Sequence, residues 1–288
     1  MTAWSEGLVP LQWRSELNDP GTFVASMHTL KLTGIQVPDV WLGDNPTLAM
    51  LGAGSIALAE KYIAIPCTTA GPTSIDVSNY RTSLDRCAAT GVDMIVLAVD
   101  GSDDRDRFGG RPQQAPALTP AGMASLGALV ADLTTEIESR SMKSSFHPHA
   151  GTYIESPEET QALFETCTNT SLGLCLDTGH WIVGGGDPVA AILKYGSRIT
   201  HVHLKDVDGA VLDRLRSTHV ATMEEAVVGE YLFTTVGTGL LDVQGVITAL
   251  RASGFSGWIL LEQDATPLGA FESTLLSRAV LSFVESNS

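Results

Sequence analysis

The sequence predicts an α/β protein, one closed (β/α)8 TIM barrel forming a single domain over residues 1–288. Three observations carry that expectation. Short β-branched or apolar runs alternate eight times with longer stretches of helical periodicity, the pattern of βα units around a parallel sheet. The chain of 288 residues is somewhat longer than the ~250 such a barrel usually takes. The runner-up, an open doubly wound sheet, lacks its mark: no GxGxxG stands at a first strand-to-helix turn, and Gly184-Gly185-Gly186 comes after the sixth strand with the wrong spacing.

Taken in order, strands are expected at 11–14, 34–40, 61–66, 92–99, 143–149, 172–177, 199–205 and 258–262, where short apolar and β-branched runs stand. The helices between them are expected at 20–32, 47–59, 74–90, 119–139, 157–166, 188–194, 243–252 and 270–285. Pro157, Pro188 and Thr119-Pro120 mark helix starts, because proline fits the first turn and the preceding side chain can cap it. Two stretches, 101–117 and 206–239, follow strands without joining the repeat. In a barrel they overlie the face where chemistry is done, as lids or substrate-selecting segments, or else as plain surface loops.

Composition narrows the partners. With 44% hydrophobic residues the chain can bury a large core. Its 17 Lys+Arg against 33 Asp+Glu leave a formal charge of −16, which argues against nucleic acid and against an anionic membrane face. No apolar run approaches the ~18 residues a membrane span needs. The first seven residues have no basic region and carry Glu6, so no secretory signal is read there. A cytoplasmic protein is expected, compatible with assembly as a homo-oligomer. Cys67, Cys87, Cys167 and Cys175 lie far apart, without a CxxC pair, and read as buried thiols.

Histidine gives the sharpest functional signal. Five of the seven lie between His147 and His203, and four of those form the pairs His147-Pro148-His149 and His201-Val202-His203. Alternate side chains of a strand share a face, so each pair points one way, and each stands at the C-terminal end of its strand, the mouth of a barrel. Two acids hold matching positions. Asp177 closes Gly173-Leu174-Cys175-Leu176-Asp177, and Glu262 closes Trp258-Ile259-Leu260-Leu261-Glu262. An inward charge at the end of an apolar strand needs compensation. Asp177, His203 and Glu262 therefore read as ligands of one divalent cation, with an O/N set that suits manganese, cobalt, zinc or iron better than calcium. His28 and His219 fall outside the cluster.

With these segments in view, the chain resembles the xylose isomerase-like barrels, which include sugar-phosphate isomerases and epimerases, inosose dehydratase, dehydroshikimate dehydratase and AP endonucleases. The resemblance runs through His147-Pro148-His149-Ala150-Gly151-Thr152, Leu176-Asp177-Thr178-Gly179-His180, His201-Val202-His203-Leu204-Lys205-Asp206, Gly237-Thr238-Gly239 with Asp242, and Gly257-Trp258 leading to Glu262. Its phrasing is most like that of inosose dehydratase-like members. The N-terminal half, to about residue 140, shares only strand order and Gly43-Asp44-Asn45. The resemblance implies one divalent metal, manganese, cobalt, zinc or magnesium, held by acid, acid, imidazole and acid at four strand ends. Three positions match Asp177, His203 and Glu262. The fourth falls to His147 or to Glu155, with Glu155 favoured because it restores the anionic charge and frees the histidines. A helix-capping role ahead of Pro157 competes for Glu155.

A cation that chelates a ketone and a neighbouring hydroxyl favours loss of the α-proton. The base is then His147 or His149, since imidazole works near neutral pH without extreme tuning. Lys205 or His180 would supply the acid. Trp13, Trp181 and Trp41 are candidate walls for a sugar ring, against the commoner fate of core packing. Arg214, Arg216 and Lys205 could meet a phosphate or carboxylate, although surface charge explains the first two more simply. A mouth rich in imidazole rather than in opposed carboxylates points to elimination from a keto-polyol or keto-sugar. The alternatives are isomerisation or epimerisation of a ketose through the same enediolate, and a metal-free sugar-binding barrel.

Overall fold

A computed structural model describes residues 4–13, 15–73, 77–168 and 170–287. Eight parallel strands close into the expected barrel in sequence order: β1 (Ser5–Val9), β2 (Gly34–Gln36), β3 (Ala57–Ile65), β4 (Met94–Val99), β5 (Lys143–Phe146), β6 (Gly173–Asp177), β7 (Ile199–Leu204) and β8 (Trp258–Glu262). The ring is sealed where β8 pairs with β1, Glu262 opposite Val9. Helices α1 (Pro20–Leu30), α2 (Asn45–Ala53), α3 (Val77–Thr90), α4 (Pro120–Glu138), α5 (Pro157–Thr166), α6 (Pro188–Tyr195), α7 (Val243–Ala252) and α8 (Ala270–Asn287) form the outer layer. Among the described residues no helix is long and apolar enough to cross a membrane.

Helix starts follow the local chemistry of the sequence. The Asp19 carboxylate accepts from Thr22 N ahead of Pro20, and Thr119 Oγ1 accepts from Gly122 N ahead of Pro120. Ser156 and Glu159 complete a reciprocal capping box ahead of Pro157. These groups satisfy amides that have no partner within the helix. Strands with both faces covered are apolar throughout, as in Met94–Val99, where every residue is buried. The bottom of the barrel is plugged by large side chains from β8 that need small neighbours. A Cβ on Gly34 would stand 2.3 Å from the Trp258 ring, and one on Gly7 would stand 2.5 Å from Leu260.

Three expected boundaries are corrected. The first strand is not 11–14 but Ser5–Val9, which pairs with both β2 and β8. Pro10, lacking an amide hydrogen, ends it, Leu11–Trp13 forms a 3-10 turn, and Arg14 lies outside the described residues. The second strand stops at Gln36 instead of running to 40, because Pro38 cannot donate to a ladder and Asp39–Trp41 turns. The second helix stops at Ala53 rather than 59: Gly54 and Ser55, the latter at φ 55°, turn the chain, and β3 begins at Ala57. The start expected for the third helix, 74–76, lies outside the described residues. All four cysteines are buried free thiols.

Both long insertions are folded. Segment 101–117 contains the short helix Asp103–Asp106 and is pinned by the fully buried Arg105, whose guanidinium donates to both oxygens of Glu159, at 3.0 and 3.2 Å, and to Pro116 O. Segment 206–239 contains the helix Gly209–Arg216, an antiparallel pairing of Asp206–Val207 with Phe233–Thr234, and its own apolar cluster of Val211, Leu212, Leu215, Met223 and Phe233. The two insertions meet each other: Glu224 N donates to Asp106, and Gly109 packs on Met223.

Candidate active site

Four successive strand ends converge. His147 follows β5, Asp177 ends β6, His203 lies near the end of β7, and Glu262 ends β8. One donor atom from each comes within 4.8 Å of all the others, and all four residues are buried. Asp177 and His203 are direct cross-strand partners. His147 Nε2 is 3.4 Å from Asp177 Oδ2, and His203 Nδ1 is 3.8 Å from Asp177 Oδ2 and 2.8 Å from Glu262 Oε2. Among the described residues, Asp177 Oδ2, Glu262 Oε2 and His203 Nδ1 have no hydrogen-bond partner. Buried polar atoms left unpaired are costly, and here they face one point. Two carboxylate oxygens and two imidazole nitrogens around that point fit a divalent transition-metal ion.

The Asp-Thr-Gly-His and His-x-His-x-Lys segments are two halves of one construction. Asp177 Oδ1 accepts from His180 N at 2.8 Å, capping the short helix Thr178–Val183 and turning Oδ2 inward. Thr178 Oγ1 accepts from Lys205 N and donates to Lys205 O, at 2.9 and 2.6 Å, which ties the ends of β6 and β7 together. Gly179 leaves room for the Lys205 stem, since a Cβ there would come within 2.6 Å of its Cγ. Asp206 then accepts from the amides of Gly237, Gly239 and Leu241 at 2.8–2.9 Å. The Gly-Thr-Gly segment is therefore a fastening for the insertion.

Lys205 is fully buried beside the cluster, its Nζ 2.9 Å from Glu262 Oε1, 2.9 Å from Asp264 Oδ2 and 3.4 Å from Asp177 Oδ2. Burial opposes its charge, but Asp177, Asp264 and Glu262 outweigh burial and hold the ammonium pKa above its ordinary value. In return, burial would raise the Asp177 and Glu262 carboxyls, yet Lys205 with the neighbouring histidines keeps both well below the usual carboxylate range. Two imidazoles sit next to this cation. His149 and His180 stack with ring centroids 3.8 Å apart, and His180 Nε2 lies 3.1 Å from Lys205 Nζ. Burial first, then His147 and Lys205, push His149 down to about 3; burial, His149 and Lys205 push His180 down as well. Both are neutral at pH 7. His149 Nδ1 lies 2.8 Å from Ala150 O, a contact that requires its proton there and leaves Nε2 with the lone pair. For His180, Ala150 N and Lys205 Nζ compete for a single lone pair.

Several expected site residues lie elsewhere. Glu155 does not reach the cluster: its Oε1 accepts from Gly110 N at 2.7 Å and its Oε2 from Gly151 N at 2.9 Å, with Arg105 at 3.8 Å. It fastens segment 101–117, burial raises its carboxyl to about 7, and the fourth atom of the cluster comes from His147. Trp13 is core, donating to Thr274 Oγ1 and meeting Phe23 and Phe271 edge-on. Trp181 packs outward on Tyr195 of α6, and Trp41 packs on Phe23. Arg214 pairs with Glu230, and Arg216 binds the carbonyls of Ile182 and Val183, so neither faces the mouth.

Other residues of the site were not anticipated. Glu60 on β3 is fully buried, with Oε2 2.9 Å from His203 Nε2 and 2.5 Å from His201 Nε2. Burial opposes its ionisation, but His203 and His201 hold its carboxyl low. Asp264 stands two residues beyond Glu262. Phe233 roofs the site, its ring centroid 4.4 Å from Lys205 Nζ and 4.8 Å from the His180 ring. The signal for Glu60 was an acid between Ala59 and Lys61 in an alternating strand, and it was obscured by the overextended helix.

Comparison with known proteins places the chain in a family. The model of the xylose isomerase-like TIM barrel family matches residues 67–283. The chain belongs to that family. An inosose dehydratase of Clostridium beijerinckii is 32% identical over 290 residues, covering 94% of each chain. Among solved structures, a probable 3-DHS dehydratase from Bacillus anthracis superposes with a TM-score of 0.71 at 15% identity, over 96% of this chain and 98% of that one. A protein solved with a binding zinc atom superposes with a TM-score of 0.68 at 14% identity, over 98% of each. The similarity to the inosose dehydratase thus runs over nearly the whole chain.

Proposed function

We propose that the protein is a metal-dependent lyase that dehydrates a keto-polyol of the inosose class. One observation carries the reading: four buried donors converge, three of them through an atom unpaired among the described residues, beside a buried ammonium and two neutral imidazoles. Its near full-length similarity to an inosose dehydratase supports the substrate class. A divalent ion bound by His147, Asp177, His203 and Glu262 would polarise the substrate carbonyl and acidify the carbon beside it.

The chain's own groups do the rest. His149 Nε2, left with the lone pair by the contact of Nδ1 with Ala150 O, takes the α-proton. The Lys205 ammonium, held among Asp177, Glu262 and Asp264, faces the oxyanion that develops. Lys205 also gives one of its protons to the departing β-hydroxyl, its Nζ set 3.1 Å from His180 Nε2, and recovers one from His149 after the product leaves. The C–H electron pair forms the new double bond, the β-carbon–oxygen bond breaks, and water leaves with that proton, giving an enone. Because the cluster is buried beneath Phe233, substrate entry displaces this roof, and its return excludes water during the elimination.

The test is incubation of the metal-loaded protein with a keto-inositol and with ketoses in D2O, followed by NMR and mass spectrometry. The expected product from the keto-inositol has lost water and shows an enone, with no deuterium washed into an intact ketose. Deuterium exchanged into intact ketose without loss of water would overturn dehydration in favour of isomerisation or epimerisation. Turnover indifferent to chelation would overturn the role of the metal.

A further inference from the structure

The Glu60 carboxylate reaches across the barrel from β3 to β7, and the His203 ring stands between it and the metal ligands. His203 directs Nε2 at Glu60 Oε2, 2.9 Å away, and Nδ1 at Asp177 and Glu262. We infer that Glu60, clamped by Gln36, is the positioning residue that fixes the His203 tautomer and so turns a lone pair on Nδ1 toward the cation. The inference rests on the metal-dependent reading above.

A neutral imidazole has one N–H and one lone pair, and an ionised carboxylate only accepts. Glu60 accepts at Nε2 with hydrogen-bond geometry, whereas among the described residues no acceptor is so aligned on Nδ1, so the proton sits on Nε2 and Nδ1 is free to ligate. Gln36 Nε2 donates to Glu60 Oε1 at 2.6 Å, which commits that oxygen and leaves Oε2 for the histidines. His201 Nε2 approaches the same oxygen from the side, without hydrogen-bond alignment. Partners of this kind orient a ligating imidazole and raise its basicity, and losing one weakens metal affinity by ~10–100-fold.

The chemistry makes the test specific. In Glu60→Gln, Gln36 still donates to the remaining oxygen, so the new amide nitrogen faces His203 Nε2 as a donor. The His203 proton then moves to Nδ1, where it blocks ligation. Adding Gln36→Glu supplies an acceptor for that amide, turns its oxygen back to His203 and restores the original tautomer. Cobalt(II) titration of the metal-free full chain, read by visible absorption and by ion count, measures this directly. The expected results are one ion per chain in the parent, affinity weakened ~10–100-fold in Glu60→Gln, and recovery of most of that loss in the double variant. If Glu60→Gln does not fold, Glu60→Asp carries the test: the shortened carboxylate falls away from Nε2 and cobalt binding weakens by about tenfold.

Unchanged cobalt affinity in a folded Glu60 variant overturns the positioning role while leaving the metal site standing. Two ions in the parent falling to one in Glu60→Gln also overturns it, by making Glu60 a ligand of a second ion with His201. No cobalt bound by the parent overturns both this inference and the metal-dependent reading.

Discussion

Asp177→Asn is expected to remove metal and turnover together while leaving the fold intact. The two carboxylate oxygens have separate duties: Oδ1 accepts from His180 N and caps the short helix, while Oδ2 has no hydrogen-bond partner among the described residues and faces His147 and His203. Asparagine keeps an oxygen for the cap and places an amide nitrogen at the second position. That nitrogen has no lone pair to give and brings hydrogens into the ligand cluster. The loss should exceed the ~100-fold that removal of an outer partner causes. Elemental analysis after dialysis, turnover, and a thermal melt of the metal-free protein check it. Full metal content in the variant would remove Asp177 from the site.

Lys205→Met is expected to show the second large effect, and on a different quantity. Methionine refills the space beside Gly179 but removes a buried cation that touches Glu262 and Asp264 at 2.9 Å. Breaking a buried ion pair from one side costs about 3–5 kcal/mol of stability, and losing a group positioned for charge or proton transfer costs about 10²–10⁴-fold in turnover. The pH dependence has a definite sign. Asp177 and Glu262 are held below their ordinary range, with Lys205 the chief cause working against burial. Their contribution is present above an unfolded pKa of about 4 and is lost as pH falls toward the lowered folded values. Without Lys205 those folded values rise, so the metal-free variant should begin to lose stability at a higher pH than the parent. Acid titration monitored by circular dichroism measures the shift. An unchanged acid limb with parental turnover would show that Lys205 only fills space.

The strand ends of the C-terminal half were legible because their residues break the apolar pattern of buried strands. An inward Asp177 or Glu262 has no place in such a strand unless something compensates it, and HxH at a strand end puts two imidazoles on one side. Capping residues and first-turn prolines set the starts of α4, α5, α6 and the cap of α7 for equally local reasons. What depends on chain path was not legible. Glu155 is only six residues beyond His149, yet the loop between them turns its carboxylate to the amides of Gly110 and Gly151, a pairing that no spacing rule contains. Glu60 was hidden by the join of α2 to β3, where Gly54 and Ser55 end the helix six residues before the apolar pattern does. Trp13 and Trp181 stand close in sequence to site elements, but each ring packs outward into the helical layer. The long insertions read equally as lids or as plain surface loops because their cluster around Met223 and Phe233 joins residues from separate parts of the chain.

If His147, Asp177, His203 and Glu262 jointly hold one divalent ion, a zinc titration of the parent beside His147→Ala and Glu155→Gln will register it. The account predicts one zinc per chain in the parent, affinity reduced by well over tenfold in His147→Ala, and parental affinity in Glu155→Gln. Zinc retained by His147→Ala and lost by Glu155→Gln, or no zinc bound by the parent, would contradict it.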